Sequence, residues 1–191
     1  NTTMNMDRLV IKQILGNEQV TQYYVVSLIG KTLVLLIAPI NTIVISYLTK
    51  RKERLTRSQF GKAVLAGGGV SLVFFGACQI GTPLFVWLFY RNLYESVKGI
   101  VTVVNLAQIL GLFSAFLFIL VLTFTDERWQ LWIQLAHFCI LLVSSVLAAR
   151  TYGMMGFAVA SLGANSLRVA AVVILGIVKA GKDKGDRNAD R

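Results

Sequence analysis

The sequence predicts an all-α protein, a polytopic bundle of five transmembrane helices, and three observations carry that expectation. Of 191 residues, 55% belong to the AVILMFWYC set and only 15% are charged, against about 25% in an ordinary soluble domain. The apolar residues fall in continuous runs, five of them long enough for the about 20 residues that a bilayer core demands. The basic residues gather between those runs, with 19 Lys+Arg against 9 Asp+Glu and a net charge of +10. A soluble globule of this length needs a polar coat that this composition cannot supply. Disorder requires few apolar residues and many charges, the reverse of what is present. A β-barrel requires short alternating segments in place of continuous runs.

Taken in order, residues 1–22 form a polar extracytoplasmic or interfacial segment. It lacks the basic n-region and apolar h-region of a signal peptide. It also does not begin with Met, so the chain is expected to start within a longer protein. The first span, 23–48, is interrupted only by Lys31, Pro39 and Asn41. The second, 63–89, carries Gly67-Gly68-Gly69, Gln79 and Pro83. The third and fourth are 99–124 and 131–149. The fifth, 153–178, contains Asn165 and Arg168, with small residues at Gly153, Gly156, Ala160 and Gly163 that favour close helix packing. A basic tail, 179–191, ends the chain. Pro39 and Pro83 each remove a helical hydrogen bond and are hinge candidates.

Charge sets the orientation. Lys50, Arg51, Lys52, Arg54, Arg57 and Lys62 follow the first span, and Lys179, Lys182, Lys184, Arg187 and Arg191 follow the last. Cytoplasmic flanks collect Lys and Arg, and five spans place both of these segments on the same side, which makes the C-terminus cytoplasmic. There the charges meet lipid headgroups, so the basic balance does not call for nucleic acid. Tyr23, Tyr24, Trp87, Tyr90, Trp129 and Trp132 sit at span ends, where interfacial anchors belong.

Two basic residues remain inside spans, Lys31 and Arg168. Intramembrane charges are costly and normally face a cavity or a partner. No span contains Asp or Glu, so neither cation is expected to find an ion-pair partner within this chain. An anionic ligand would complement them. His137 reads first as a neutral interhelical hydrogen-bonding group, and Asn41, Gln79, Asn105, Gln108 and Asn165 likewise as polar ties between helices. A proton relay through His137 is the sharper alternative. Arg168, Lys31, Asn165, Gln108 and His137 are therefore the candidates for lining a substrate cavity. Cys78 and Cys139 lie within apolar runs and read as small buried side chains. No catalytic motif, metal-ligand cluster or nucleotide loop is present, and no extramembrane segment is long enough for a catalytic domain, so neither an enzyme nor a cofactor is expected.

Four stretches resemble one family. Met6-Asp7-Arg8-Leu9-Val10-Ile11 with Leu15-Gly16 and Tyr23-Tyr24 is similar to the lead-in to the eighth span of oligosaccharide flippases of the Wzx type. These carriers belong to the multidrug/oligosaccharidyl-lipid/polysaccharide exporter superfamily. Ala38-Pro39-Ile40 with the basic run from Lys50 to Arg54 resembles that span's exit. Leu84 to Tyr90 resembles the end of the next span, and Tyr152-Gly153-Met154-Met155-Gly156-Phe157-Ala158-Val159-Ala160 resembles the opening of the last.

The resemblance covers nearly the whole chain. It implies most of the C-terminal lobe of a two-lobed exporter, lacking the N-terminal lobe and the seventh span, in the bacterial inner membrane. The implied activity is translocation of a polyprenyl-pyrophosphate-linked oligosaccharide by alternating access, for cell-surface polysaccharide such as lipopolysaccharide. Lys31 and Arg168 would hold its anionic groups. The implied partners are the lipid-linked oligosaccharide, membrane lipids and the missing lobe. Two alternatives stand beside it: a drug/cation antiporter of the same superfamily, and a five-span assembly subunit that transports nothing.

Overall fold

The structure, a computed structural model, describes residues 3–50, 56–122, 125 and 127–186. Every secondary-structure element among them is an α-helix: α1 (Thr3–Leu15), α2 (Asn17–Lys50), α3 (Arg57–Phe89), α4 (Arg91–Val97), α5 (Val101–Leu122) and α6 (Glu127–Asp186). The basic run Arg51 to Arg54 and tail residues Arg187 and Arg191 lie outside the described residues. Three helical stretches are long and apolar enough to cross a membrane: Arg57–Phe89, Val101–Leu122 and Arg128–Ala180.

That last stretch holds 53 residues, about 80 Å if it ran straight, against a hydrocarbon core of about 30 Å. It does not run straight. Gly153 adopts φ 61°, ψ −144°, a backbone conformation that side chains with a Cβ disfavour. The chain reverses there. His137 bonds Asn165, and Arg168 bonds Gln134, pairs centred on the turn, so the two arms of α6, 127–152 and 154–186, lie antiparallel. A Cβ on Gly156 would overlap the Ala148 carbonyl oxygen, which shows how closely the arms meet. The sequence suggests a loop at 150–152. The helix instead continues through those residues and breaks at Gly153 alone, because one glycine supplies the whole reversal.

A second positive-φ glycine, Gly16 at φ 95°, separates α1 from α2. Within the polar segment ahead of the first apolar window, α1 folds back onto the bundle and α2 already starts at Asn17. α3 opens with a capping box, in which Thr56 Oγ1 accepts from the Gln59 amide at 3.3 Å and Gln59 Oε1 accepts from the Thr56 amide at 3.1 Å. α2 and α3 continue as helix through Pro39 and Pro83.

α5 is the centre of the bundle. It packs against α2, α3 and α6, and 44% of its apolar window is buried, against 6% for α3 and 11% for α6. Gly67 faces Phe113 and Phe116 while Gln79 bonds Thr102, so α3 runs antiparallel to α5. Asn165 reaches Ala107 and Arg168 lies over Phe118, so the second arm of α6 runs parallel to it.

Two apolar clusters hold the ends of the bundle. One contains Ile11, Tyr23, Val86, Val97, Val101 and Phe157; the other contains Phe60, Leu117, Leu120, Val121 and Val172. Around them the surface stays apolar, with Leu65, Leu72, Val73, Ile80 and Leu88 of α3 more than half exposed. Contiguous apolar surface of this extent is not stable against water and matches lipid. Trp129 and Trp132 are exposed as anchors should be, and Lys179 sits 5.5 Å over the Trp129 ring. Two expectations are corrected here. Tyr23 is 3% exposed and stands edge-on to Phe157 at 5.2 Å, because α1 covers the end of α2 that it occupies. Cys139 is exposed, because in a helix this apolar every face looks alike in sequence; Cys78 is buried.

Candidate functional site

Between the two apolar clusters lies a cavity of about 470 Å³. Its wall comes from α1, α2, α5 and both arms of α6. Lys31, Gln108, His137, Asn165 and Arg168 all line it. The five residues singled out in the sequence, spread along the chain from Lys31 to Arg168, thus share one space. Asp7, Tyr23 and Gln134 join them.

The cavity has two polar ends. At one, Lys31 Nζ donates to Asp7 Oδ2 at 2.5 Å, with both side chains 16% exposed. The Arg8 amide donates to the other carboxylate oxygen at 2.9 Å, and the Arg8 guanidinium lies 4.2 Å over the Tyr24 ring. Lys31 Nζ itself is 6.0 Å from the Tyr23 ring centroid. The expectation that neither intramembrane cation has an ion-pair partner in this chain is therefore wrong for Lys31. The acid comes from outside every apolar window, because the Gly16 turn brings α1 back against α2. Gln108 lies against Gly30 of α2, whose missing side chain lets the two helices approach.

At the other end, Arg168 Nη2 donates to Gln134 Oε1 at 3.0 Å, and the guanidinium lies 5.4 Å over the Phe118 ring. No carboxylate pairs with it among the described residues, and its Nε has no hydrogen-bond partner there. Beside it, Asn165 Nδ2 donates to the Ala107 carbonyl at 2.9 Å. That fixes the amide so that Oδ1 faces His137 Nε2 at 3.1 Å. The imidazole proton then resides on Nε2, assigned from the hydrogen-bond network, and Nδ1 is left as an acceptor without a partner. His137 is 7% exposed. Both Asn165 and His137 thus hold helices together, as the sequence suggests, while also lining the cavity.

A separate polar cluster joins α3 to α5. Asn105 Nδ2 donates to the Cys78 carbonyl and to Gln79 Oε1, each at 3.1 Å. Thr82 Oγ1 donates to Asn105 Oδ1 at 3.2 Å. None of these residues lines the cavity, so here the structural reading of Asn105 and Gln79 suffices. Among the described residues no group of His, Cys, Asp or Glu could hold a metal ion. Asp7 and Tyr23 belong to the stretch that carries the family resemblance, but nothing in the sequence marked them for the cavity, one being an acid in a polar segment and the other an aromatic at a span end. Gln134 had a weak one, lying one helical turn from His137.

Asn165→Leu provides a local test of the tie. It leaves the His137 ring proton unpaired and takes from the Ala107 carbonyl its interhelical donor, the bond within α5 remaining, at a cost of about 1–2 kcal/mol. The melting temperature in detergent is expected to fall, whereas Ser166→Ala, which only removes a bond to its own helix, should leave it unchanged.

Comparison with protein-family models, with curated proteins and with solved structures returns no match. The functional reading therefore rests on the cavity and the sequence.

Proposed function

We propose that the chain forms part of a membrane carrier that moves a polyprenyl-pyrophosphate-linked oligosaccharide across the bacterial inner membrane. The observation that carries this reading is Arg168: a cation on the wall of a cavity inside an apolar bundle, with a glutamine and a phenyl ring for neighbours and no carboxylate paired with it among the described residues. A cation in low dielectric wants an anion. Gln134, His137 and Asn165 offer uncharged hydrogen-bonding groups around it, suited to phosphate and sugar oxygens. Lys31, already held by Asp7, contributes less to that anion site than Arg168 does.

In this reading α2, α3, α5 and the two arms of α6 make the five crossings. Their alternating directions support it, as do Arg57, Lys62 and Lys179 gathering at the Phe60 end. That end is then cytoplasmic, with the C-terminus. The resemblance to oligosaccharide flippases supplies the substrate class and the second lobe that would close the cavity.

Asp7 also favours a second reading, a drug/cation antiporter, because a carboxylate on the cavity wall is what a cationic substrate requires. One experiment separates the two. In a strain lacking the gene, the flippase reading expects loss of surface polysaccharide and accumulation of lipid-linked repeat units in the cytoplasmic leaflet, both restored by the intact gene. Normal polysaccharide together with retention of a cationic dye would favour the antiporter and overturn the flippase.

A further inference from the structure

We propose that α1 is a lid over the cavity, hinged at Gly16 and latched by the Asp7–Lys31 ion pair.

The lid geometry has three parts. Asp7 and Val10 of α1 line the cavity, so displacement of this short helix would open that wall. α1 joins α2 through one residue, Gly16, at φ 95° with open space around its Cβ position, a turn that no neighbouring side chain pins. The latch reaches from the lid into the wall: Lys31 lies about four turns inside α2, and its ammonium meets the Asp7 carboxylate at 2.5 Å.

Apolar contact holds α1 in part, since Ile11 is fully buried with Val10, Ile14 and Leu15 packed beside it. The ion pair adds to that hold. Separating the two partly buried charges takes from each its counter-charge, a penalty that apolar contact does not carry. The pair is therefore the part of the latch that a change of one charge releases. The other charged and titratable groups facing this point are Arg8, which is engaged with Tyr24, Tyr23 on α2, and His137 and Arg168 across the cavity on α6. The lid holds whatever the cavity carries, so it stands apart from the substrate reading.

The test uses the full chain in vesicles, with Cys78→Ala and Cys139→Ala and a single reporter thiol, Ser161→Cys. Ser161 is on the cavity wall and 7% exposed. The measurement is its rate of reaction with a water-soluble thiosulfonate. Asp7→Asn and Lys31→Gln should each react at least about tenfold faster than the parent, and the exchanged pair Asp7→Lys/Lys31→Asp should return to within about twofold of it. An Asp7→Asn rate equal to the parent's overturns the lid, and so does an exchanged pair as fast as Asp7→Asn. A second reporter, the native Cys78 kept as the single thiol, is buried on α3, which contributes no residue to the cavity wall. If it too becomes reactive in Asp7→Asn, the bundle has loosened generally and the latch is rejected.

Discussion

On the proposed carrier reading, Arg168→Ala is expected to cut glycan export by about 10–100-fold, the equivalent of one charge-assisted hydrogen bond to the substrate. Abundance and membrane insertion should not change. The guanidinium has no carboxylate to orphan among the described residues, and its departure leaves only Gln134 Oε1 without a donor, a group that can turn toward the cavity. Arg168→Lys should retain part of the activity, because charge persists but the planar fork that binds two oxygens at once does not. Arg168→Glu should be as inactive as alanine or more so, since it repels the anion. Lys31→Ala should have the smaller effect on transport. Surface polysaccharide at normal levels in the Arg168→Ala strain would remove the anion site from consideration, whatever else the cavity does.

Gly156→Val is expected to prevent the bundle from forming. Any Cβ there overlaps the Ala148 carbonyl oxygen and crowds Tyr152, and backbone cannot step aside as a flexible side chain can. Overpacking typically costs about 1–3 kcal/mol, and here the strain falls on the turn that makes two antiparallel arms from one helix. Purified protein should elute as aggregate or melt well below the parent. Gly163→Ala, on the same arm with open space around its Cβ position, is the control and should be silent. Two equal melting curves would mean that the arms do not meet as described.

Much of the architecture could be read from hydropathy, since continuous apolar runs leave a backbone few options other than helix. Four of the apolar windows are helical to within a residue of their ends, and of the fifth, 99–124, the stretch Val101–Leu122 is helix. The cavity candidates proved to be neighbours because polar groups in such helices gather where lipid is absent. What could not be read was direction around the axis. α3 and the first arm of α6 are apolar on every side, so nothing distinguished the buried Cys78 of one from the exposed Cys139 of the other. Asp7 was missed for another reason. It lies 24 residues from Lys31, beyond a turn whose geometry depends on a single glycine. A window that counts apolar residues has no means of seeing a helix fold back. Tyr23 was misplaced by the same turn, since an interfacial tyrosine and one covered by α1 have the same neighbours in sequence.

Asn165 and Asn105 together divide the molecule mechanically. Asn165 ties the second arm of α6 to the first through His137 and to α5 through the Ala107 carbonyl. Asn105 ties α5 to α3. Two amides thus rivet four helical segments into a single plate, and the charge pair sits apart, between α1 and α2. The plate is held by amides that cross between helices, whereas α1, beyond Gly16, meets the rest through apolar contact and that single charge pair.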